Sequence, residues 1–540
     1  MPESIDTRSA TVVNYRAARR QAFAADLEHE RAQAAAPAAI KEKKGPSIEM
    51  LIAKEAARGG LLGELALVEQ RDDAPATVWR WTGRLWELIE DEQAYARITA
   101  WLMAQASEKV QERTVKGSWR IARWHLATTA GRKPMPDPKR IVLALRGGYL
   151  EVAENRIIGR APSKDAGLTF EIKASCPVAA GAQHNPRPVP AGSLFGRFLQ
   201  MSMPDPAEQA LLQEQCAITL TGRANELIIW WSGGGRNGKS TMVKVLAAFH
   251  PSPRPMVMHE LGDRFGLEDI VGASLLMVSE VDPEKKMPID RLKALSSGDP
   301  SRVQRKGLGS IGYINVADTL VTANEGPRYH DSSNGFSRRL CPLEWRHTIT
   351  EDQKIEGLAR RIIEEEPGIV LDWLLAGLQR IAKRGGFMPE SEWPGSVARQ
   401  KMLITHDNDV VRRCVDEEGW VYDPSLPKRP RDELWASWLA WCESAGLMDN
   451  DRPPIRTPNQ LMRQLRKLGE PHHFRDADLT EKIGTGADRI PACRIALGPD
   501  DAAQLRAKAA REAELKAKAL ADVERMTLHP DTDLLRSSPV

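Results

Sequence analysis

The nine residues Gly233, Gly234, Gly235, Arg236, Asn237, Gly238, Lys239, Ser240 and Thr241 carry the sharpest chemical signal in this sequence. Gly233 and Gly238 have four residues between them and are followed at once by Lys239 and Ser240, which is the spacing of a phosphate-binding loop. The chemistry demands these residue types. Backbone N–H groups must close around phosphate oxygens at a distance that a Cβ would obstruct. A lysine then supplies a point charge to the β- and γ-phosphates, and a hydroxyl ligates magnesium. An apolar strand, LIIWWS, precedes the loop and the helical stretch TMVKVLAAF follows it. The pattern predicts a site for ATP, or a close relative, together with Mg2+.

Three later segments could complete such a site. SLLMVSEVD (274–282) reads as a buried strand that delivers Glu280, 41 residues after Lys239, with Asp282 two positions further on. Carboxylates there can hold magnesium and polarise an attacking water, and either acid can take either role. TLVTANEGP (319–327) is a second apolar strand, ending in Asn324. A neutral amide beside a γ-phosphate orients water without adding negative charge; the competing reading is a turn residue before Gly326-Pro327. The pair Arg338-Arg339 could stabilise charge in phosphoryl transfer when offered by a neighbouring subunit, or could be a surface ion pair.

Between these segments lies KALSSGDPSRVQRKGLGSIGYINVAD, in which Lys293 precedes a basic run of Arg302, Arg305 and Lys306 and two glycines, Gly307 and Gly309. The pattern predicts a hairpin with basic residues at its tip, suited either to phosphates of a threaded single strand or to solvent.

These residues need a scaffold, and the rest of the chain predicts a mixed α/β architecture. Residues 206–385 alternate short apolar runs with helical stretches, as a parallel sheet requires. Residues 47–205 read as a smaller α/β domain. It holds an aromatic strand at 78–83, a helix-like stretch carrying Leu85, Trp86, Leu88 and Ile89, and strands hinged at Gly147-Gly148. Residues 386–498 predict one helix capped by Asp432 and stopped by Gly446. A second is capped by Thr457, with Pro458 at its first position and Gly469 past its end. Strand-like runs around Gly484-Thr485-Gly486 then suggest a wing. That segment is either a winged-helix-like DNA-binding domain or a helical domain packed on the motor. Residues 1–46 read as a flexible arm and 499–540 as a helical tail.

Composition limits the function classes. At 540 residues with 42% hydrophobic and 28% charged residues, the chain is of globular type and long enough for several cores. No run approaches the roughly 20 apolar residues that cross a bilayer, so no membrane partner is expected. The formal charge of +3 is too balanced to argue nucleic-acid binding alone. Six cysteines without paired spacing read as buried, reduced thiols of a cytosolic protein.

In NGKST, the strand ending in Glu280, LKALSSGDP, TANEGP and DSSNGFSRRL, all in order within about a hundred residues, the sequence resembles the superfamily 3 helicases. These are a branch of the AAA+ ATPases, and the similarity is greatest to the poxvirus- and satellite-phage-type primase–helicases. It extends over most of residues 75–498. The resemblance implies an AAA+ motor in a ring of six subunits, with ATP sites between subunits, moving 3′ to 5′ on DNA. It assigns Lys239 and Ser240 to ATP and Mg2+, Glu280 to water, Asn324 to the γ-phosphate and Arg339 to a neighbour's site. Arg305 and Lys306 fall near the pore hairpin. Val281 separates the two acids that many relatives carry side by side.

The expected function is therefore an ATP-dependent DNA helicase of a phage, plasmid or mobile element in a bacterial cytoplasm, acting on single-stranded and forked DNA. No zinc pattern or paired-aspartate strand supports priming, so a separate primase or initiator is an expected partner. Two other readings stay open: an ATP-switched DNA-binding initiator or loader, and a partner-controlled ATPase that never touches DNA.

Overall fold

The structure, a computed structural model, describes residues 46–504 and positions 507, 511 and 514. Within that span it omits 68–76, 106, 280, 283, 284, 286, 308, 330–334, 423–425, 449–451, 469–480, 484–489 and 499. Glu280, Gly469, the segment Gly484-Thr485-Gly486 and nearly all of the arm and tail lie outside the described residues. The described residues form two compact units, one holding 46–61 with Tyr95–His125, the other Leu62–Ala94 with those from Leu126 onward.

The smaller unit is helical. It is built on α1 (Ile48–Ala57), most of α2 (Asp91–Gln105) and most of α3 (Glu112–Thr129). Ser47 caps α1 by accepting from Met50 N. Ile52, Ile98, Leu102, Val115 and Trp119 are among its buried apolar side chains.

The larger unit opens with a four-stranded sheet of β1 (Leu65–Leu67), β2 (Val78–Trp81), β3 (Trp86–Leu88) and β4 (Gly131–Arg132), in the order β3-β2-β1-β4. The expected helix at Leu85–Ile89 is strand β3 instead. Thr82 N donates to Leu85 O at 2.9 Å and Gly83 adopts φ 92°, a reversal that lays Trp86 opposite Trp81. A second sheet follows: β5 (Ile141–Arg146), β6 (Gly148–Ala153), β7 (Arg156–Arg160), β8 (Ile172–Ser175) and β9 (Gln183–His184), ordered β8-β5-β6-β7-β9. The expected hinge is a tight turn at Gly147, whose φ of 93° suits glycine.

The central layer is a parallel five-stranded sheet. Helices α4 (Leu194–Ser202) and α5 (Pro206–Ile218) lead to β10 (Ile228–Ser232), which runs through the glycine loop into α6 (Lys239–Phe249). Strands β11 (Pro253–Val257) and β12 (Leu275–Ser279), helix α7 (Ile289–Ser297) and the antiparallel hairpin of β13 (Ser301–Val303) and β14 (Ile311–Tyr313) come next. Strand β15 (Asp318–Thr322), the short α8 (Gly335–Arg339) and β16 (Leu340–Glu344) complete the sheet, ordered β11-β12-β15-β10-β16 with every pairing parallel. β10 is buried along its whole length, which explains its continuous apolar run.

Helices α9 (Leu358–Glu365) and α10 (Pro367–Arg384) close the layer against α4 and α5. The fully buried Glu214 on α5 receives Arg380 at 3.1 Å and Arg384 at 2.9 Å from α10, so its charge is paired on both oxygens. One apolar cluster runs from Leu143 and Leu150 through Phe198 and Trp231 to Leu374, joining the second sheet to the central layer.

Helix α11 (Gly395–Asn408) leads into α12 (Val410–Glu417), with Asp409 capping the latter. β17 (Trp420–Tyr422), β18 (Arg429–Pro430), α13 (Arg431–Ser444), α14 (Pro458–Leu465), β19 (Glu481–Ile483), β20 (Ile490–Cys493) and β21 (Ile495–Leu497) follow. Thr457 caps α14 by accepting from Gln460 N, with Pro458 first in the helix, as expected. Asp432 is not a cap. α13 starts at Arg431 after Pro430, whose fixed ring already ends the extended chain one residue earlier, and Asp432 falls in the first turn. β19 and β20 pair antiparallel around the omitted 484–489. All six cysteines are free thiols, and Cys176 is half-buried where full burial was expected.

Candidate functional site

Because parallel strands end at one edge of the sheet, the loops leaving β10, β12 and β15 share that edge. There they border a cleft of about 740 Å³. Gly234 through Thr241, Val281, Asp282 and Asn324 line it, with Met258, His259, Lys285 and Arg328 from flanking loops. The structure thus brings together the glycine loop, Asp282 and Asn324, while Glu280 is outside the described residues.

The loop's shape follows from its glycines. Gly233 has φ 133° and Gly238 φ 91°. A Cβ on Gly233 would lie 2.4 Å from Trp345 O, and one on Gly238 2.3 Å from Ser202 Oγ. Asn237 staples the turn, donating from Nδ2 to Gly234 O at 2.7 Å and to Trp345 O at 2.9 Å. Ile349 N donates to Arg236 O at 2.7 Å, and Arg236 itself holds a positive φ of 59°. Lys239 opens α6 and turns its ammonium onto the Gly233 carbonyl and, at 3.0 Å, the Gly234 carbonyl. Partial burial lowers its pKa from the ordinary value.

Asn324 is placed by the sheet. Gly233 N donates to Asn324 O at 3.1 Å and Ala323 N to Trp231 O at 3.0 Å, locking the end of β15 to the start of the loop. Among the described lining residues, Arg236, Lys239, Lys244, Lys285 and Arg328 oppose only Asp282 and Glu325. Five cations against two carboxylates favour a polyanionic ligand. His259, Lys285 and Arg328 were not legible as site residues, because they lie outside the apolar strands and the glycine loop, with no spacing signal.

Arg338 and Arg339 do not line this cleft. Register pairs Leu340 with Ile228 and Glu344 with Ser232, so α8 sits at the opposite edge of the sheet from the glycine loop. Four strand residues separate the two edges, roughly 13 Å. Arg339 is 14% exposed, donates to Gly335 O at 3.2 Å and, like Arg338, faces Glu226.

The basic hairpin exists, and its cations are used differently from one another. Arg302 is exposed on β13 and donates to Ser310 Oγ at 3.0 Å. Arg305, 11% exposed, turns inward to Glu90 at 2.6 Å. Lys306 is exposed at the tip, its backbone N–H held by Glu268 at 3.1 Å. Lys293 sits on α7, 3.0 Å from Asp290. Arg264, which sequence reasoning passed over, supports the tip by donating to Gln304 at 2.8 Å.

A family described as of unknown function, DUF5906, matches residues 231–339, the stretch from β10 through α8. No curated protein matches the chain. Among solved structures, the A form of the apo NrS-1 C terminal region is 12% identical, with a TM-score of 0.40, covering 77% of this chain and 93% of that one. The apo NrS-1 C terminal region (305–718) is 11% identical, with a TM-score of 0.41, covering 84% and 100%. A JCV helicase with a bound acetamide compound is 13% identical, with a TM-score of 0.23, covering 41% and 62%.

Proposed function

We propose that this protein is an ATP-driven motor on single-stranded DNA, a helicase of the superfamily 3 type that works as a ring. The observation that carries the reading is the convergence of the glycine loop, Asp282 and Asn324 on one cation-rich cleft at the end of a buried parallel sheet. The loop N–H groups and the start of α6 cradle the triphosphate. Lys239 exchanges its loop carbonyls for phosphate oxygens, a step favoured by its desolvated ammonium. Asn324, fixed through Gly233, orients the attacking water.

Ser240 and Asp282 offer the hard oxygen donors that magnesium takes, and both line the cleft. Among the described residues no cluster of three or more His, Cys, Asp or Glu could hold a metal unaided. When bound, magnesium neutralises charge on the phosphates. Glu280, following β12, is the proposed base for water.

Arg339 stands too far along the sheet to serve its own chain's cleft, which supports service at a neighbour's and hence a closed assembly, hexameric by the resemblance noted above. Arg302 and Lys306 are the hairpin cations offered to DNA phosphates, and Lys293 on α7 is a further candidate. No helix among the described residues is long and apolar enough to cross a membrane.

Purified protein should hydrolyse ATP faster with single-stranded DNA and unwind a forked duplex; Lys239→Ala should do neither. Equal unwinding by Lys239→Ala would refute the mechanism. One observation favours an ATP-switched initiator instead: α14 buries Leu461, Met462 and Leu465 while exposing Arg463, with Arg466 and Lys467 just beyond. DNA binding abolished by reversing those three charges, in a protein without unwinding activity, would select that reading.

A further inference from the structure

Helix α3, in the smaller unit, carries a surface that this motor mechanism does not use. Trp124 is 65% exposed, although tryptophan is a large side chain seldom left so open to water. The Arg120 guanidinium lies 5.5 Å from its ring centre. Lys116 stands one turn before Arg120 and Arg113 about one turn before that, both exposed. At 3.6 residues per turn, positions 113, 116, 120 and 124 share one face, and successive members lie about 4.5–6 Å apart along the axis. The opposite face, through Val115, Trp119 and Ala122, is buried. The exposed row is therefore a feature of the helix surface and not a frayed core.

We propose that this face of α3 is a binding site for single-stranded DNA. Phosphates would lie against Arg113, Lys116 and Arg120, and a base would stack on Trp124. The inference rests on the reading of the protein as a motor on single-stranded DNA.

Three considerations select this ligand. Cations one helical turn apart meet a backbone that presents a charge at every nucleotide. An open indole beside a guanidinium accepts a base by stacking and cation–π attraction, and only an unpaired strand offers a free base face. A protein partner fits less well, because interface cores are depleted in charge and this row sets three cations against one carboxylate, Glu112. Glu112 already bonds Lys116 at 2.5 Å. An exposed pair of this kind is weak enough for phosphate to displace.

The test uses the full chain and a labelled thymidine oligonucleotide, with fluorescence anisotropy measured across a salt series. Trp124→Ala should weaken binding by about tenfold with little change in salt dependence. The triple variant Arg113→Glu, Lys116→Glu, Arg120→Glu should reduce the slope of log K against log salt by about 0.7 per lost contact. Binding by both variants at the wild-type affinity and slope would overturn this inference alone. A wild type that binds no single strand in any nucleotide state would remove the motor reading and this site together. If the variants weaken binding only by lowering the oligomer size seen in sedimentation, the face seats a second copy of the chain and the DNA assignment fails.

Discussion

Gln400 donates from Nε2 to the Ser232 hydroxyl at 2.9 Å, so α11 bears on the residue immediately before Gly233. The same helix reaches two other parts of the site. Lys401 Nζ donates to Leu340 O at 2.9 Å, the first residue after Arg339. Asn408 donates to Pro327 O at 2.9 Å and accepts from Tyr329 N, just beyond Asn324. One rod thus touches the glycine loop's root, the Asn324 segment and the strand that follows the arginine pair.

Gln400→Ala should therefore lower kcat for ATP hydrolysis by up to about tenfold, since small displacements of positioned groups are costly to rate. ATP affinity should stay near wild type, because Gln400 does not line the nucleotide cleft. Steady-state kinetics paired with nucleotide binding would check this. An unchanged kcat would mean that α11 is a passive buttress.

Arg305 and Lys306 are neighbours in sequence with separate tasks. Arg305 is mostly buried and bonded to Glu90 at 2.6 Å, whereas Lys306 is exposed. Arg305→Ala leaves a half-buried carboxylate without its charged partner and should cost about 1.5–3 kcal/mol of stability. Lys306→Ala should leave the melting temperature within about a degree and weaken single-stranded DNA binding, with a shallower salt dependence. Chemical denaturation and DNA titration of the two variants would show the division. Equal effects on stability would contradict it.

That division was invisible in the sequence, where Arg302, Arg305 and Lys306 read as one basic run: the residue that claims Arg305 lies 215 positions away. Features set by local chemistry were legible, such as Thr457 and Pro458 at the start of α14 and the buried strands β10, β12 and β15. The two edge strands were not. Pro253 and Pro255 in β11 and Pro342 in β16 argue against strand, yet an outer strand tolerates proline because one side of its backbone needs no partner. Leu85–Ile89 has helical spacing, but the turn at Thr82-Gly83 overrides it. At the site, the glycine loop and Asn324 were readable because they follow apolar runs, whereas Lys285 and Arg328 join them only through folding.

His250 and Asp318 give stability two opposing pH trends. His250 is fully buried against the Thr219 hydroxyl at 3.1 Å, and burial pushes its pKa down to about 3. Below the ordinary value of about 6.5 the unfolded chain takes a proton that the fold refuses. This group's contribution is complete above that pH and is lost on acidification, by about 2 kcal/mol between pH 7 and 5. Asp318 behaves oppositely. Burial raises its carboxyl to about 7, against donation from Asn225, so the fold gains stability as pH falls through 7. In wild type the two trends nearly cancel between pH 7 and 5, whereas in His250→Asn only the Asp318 gain remains, so denaturation midpoints should rise on acidification relative to wild type. Parallel pH profiles for the two proteins would defeat the assignment.

Arg339 offers the sharpest test of assembly. It sits at the sheet edge opposite the glycine loop, with Leu340 paired to Ile228. If it acts on a neighbour's triphosphate, Arg339→Ala should keep ATP binding while hydrolysis falls at least a thousandfold, the scale on which arginine fingers act. Lys239→Ala should lose binding itself. Mixed in one ring, the two variants create some interfaces in which an intact cleft faces an intact arginine, so activity should return in proportion to those pairings. A stimulation curve that rises and then falls with the mixing ratio is the expected signature. Activity that stays at the floor for every ratio, in mixtures shown to co-assemble, would place the arginine's role within its own subunit, where Glu226 would be its partner in a purely structural contact.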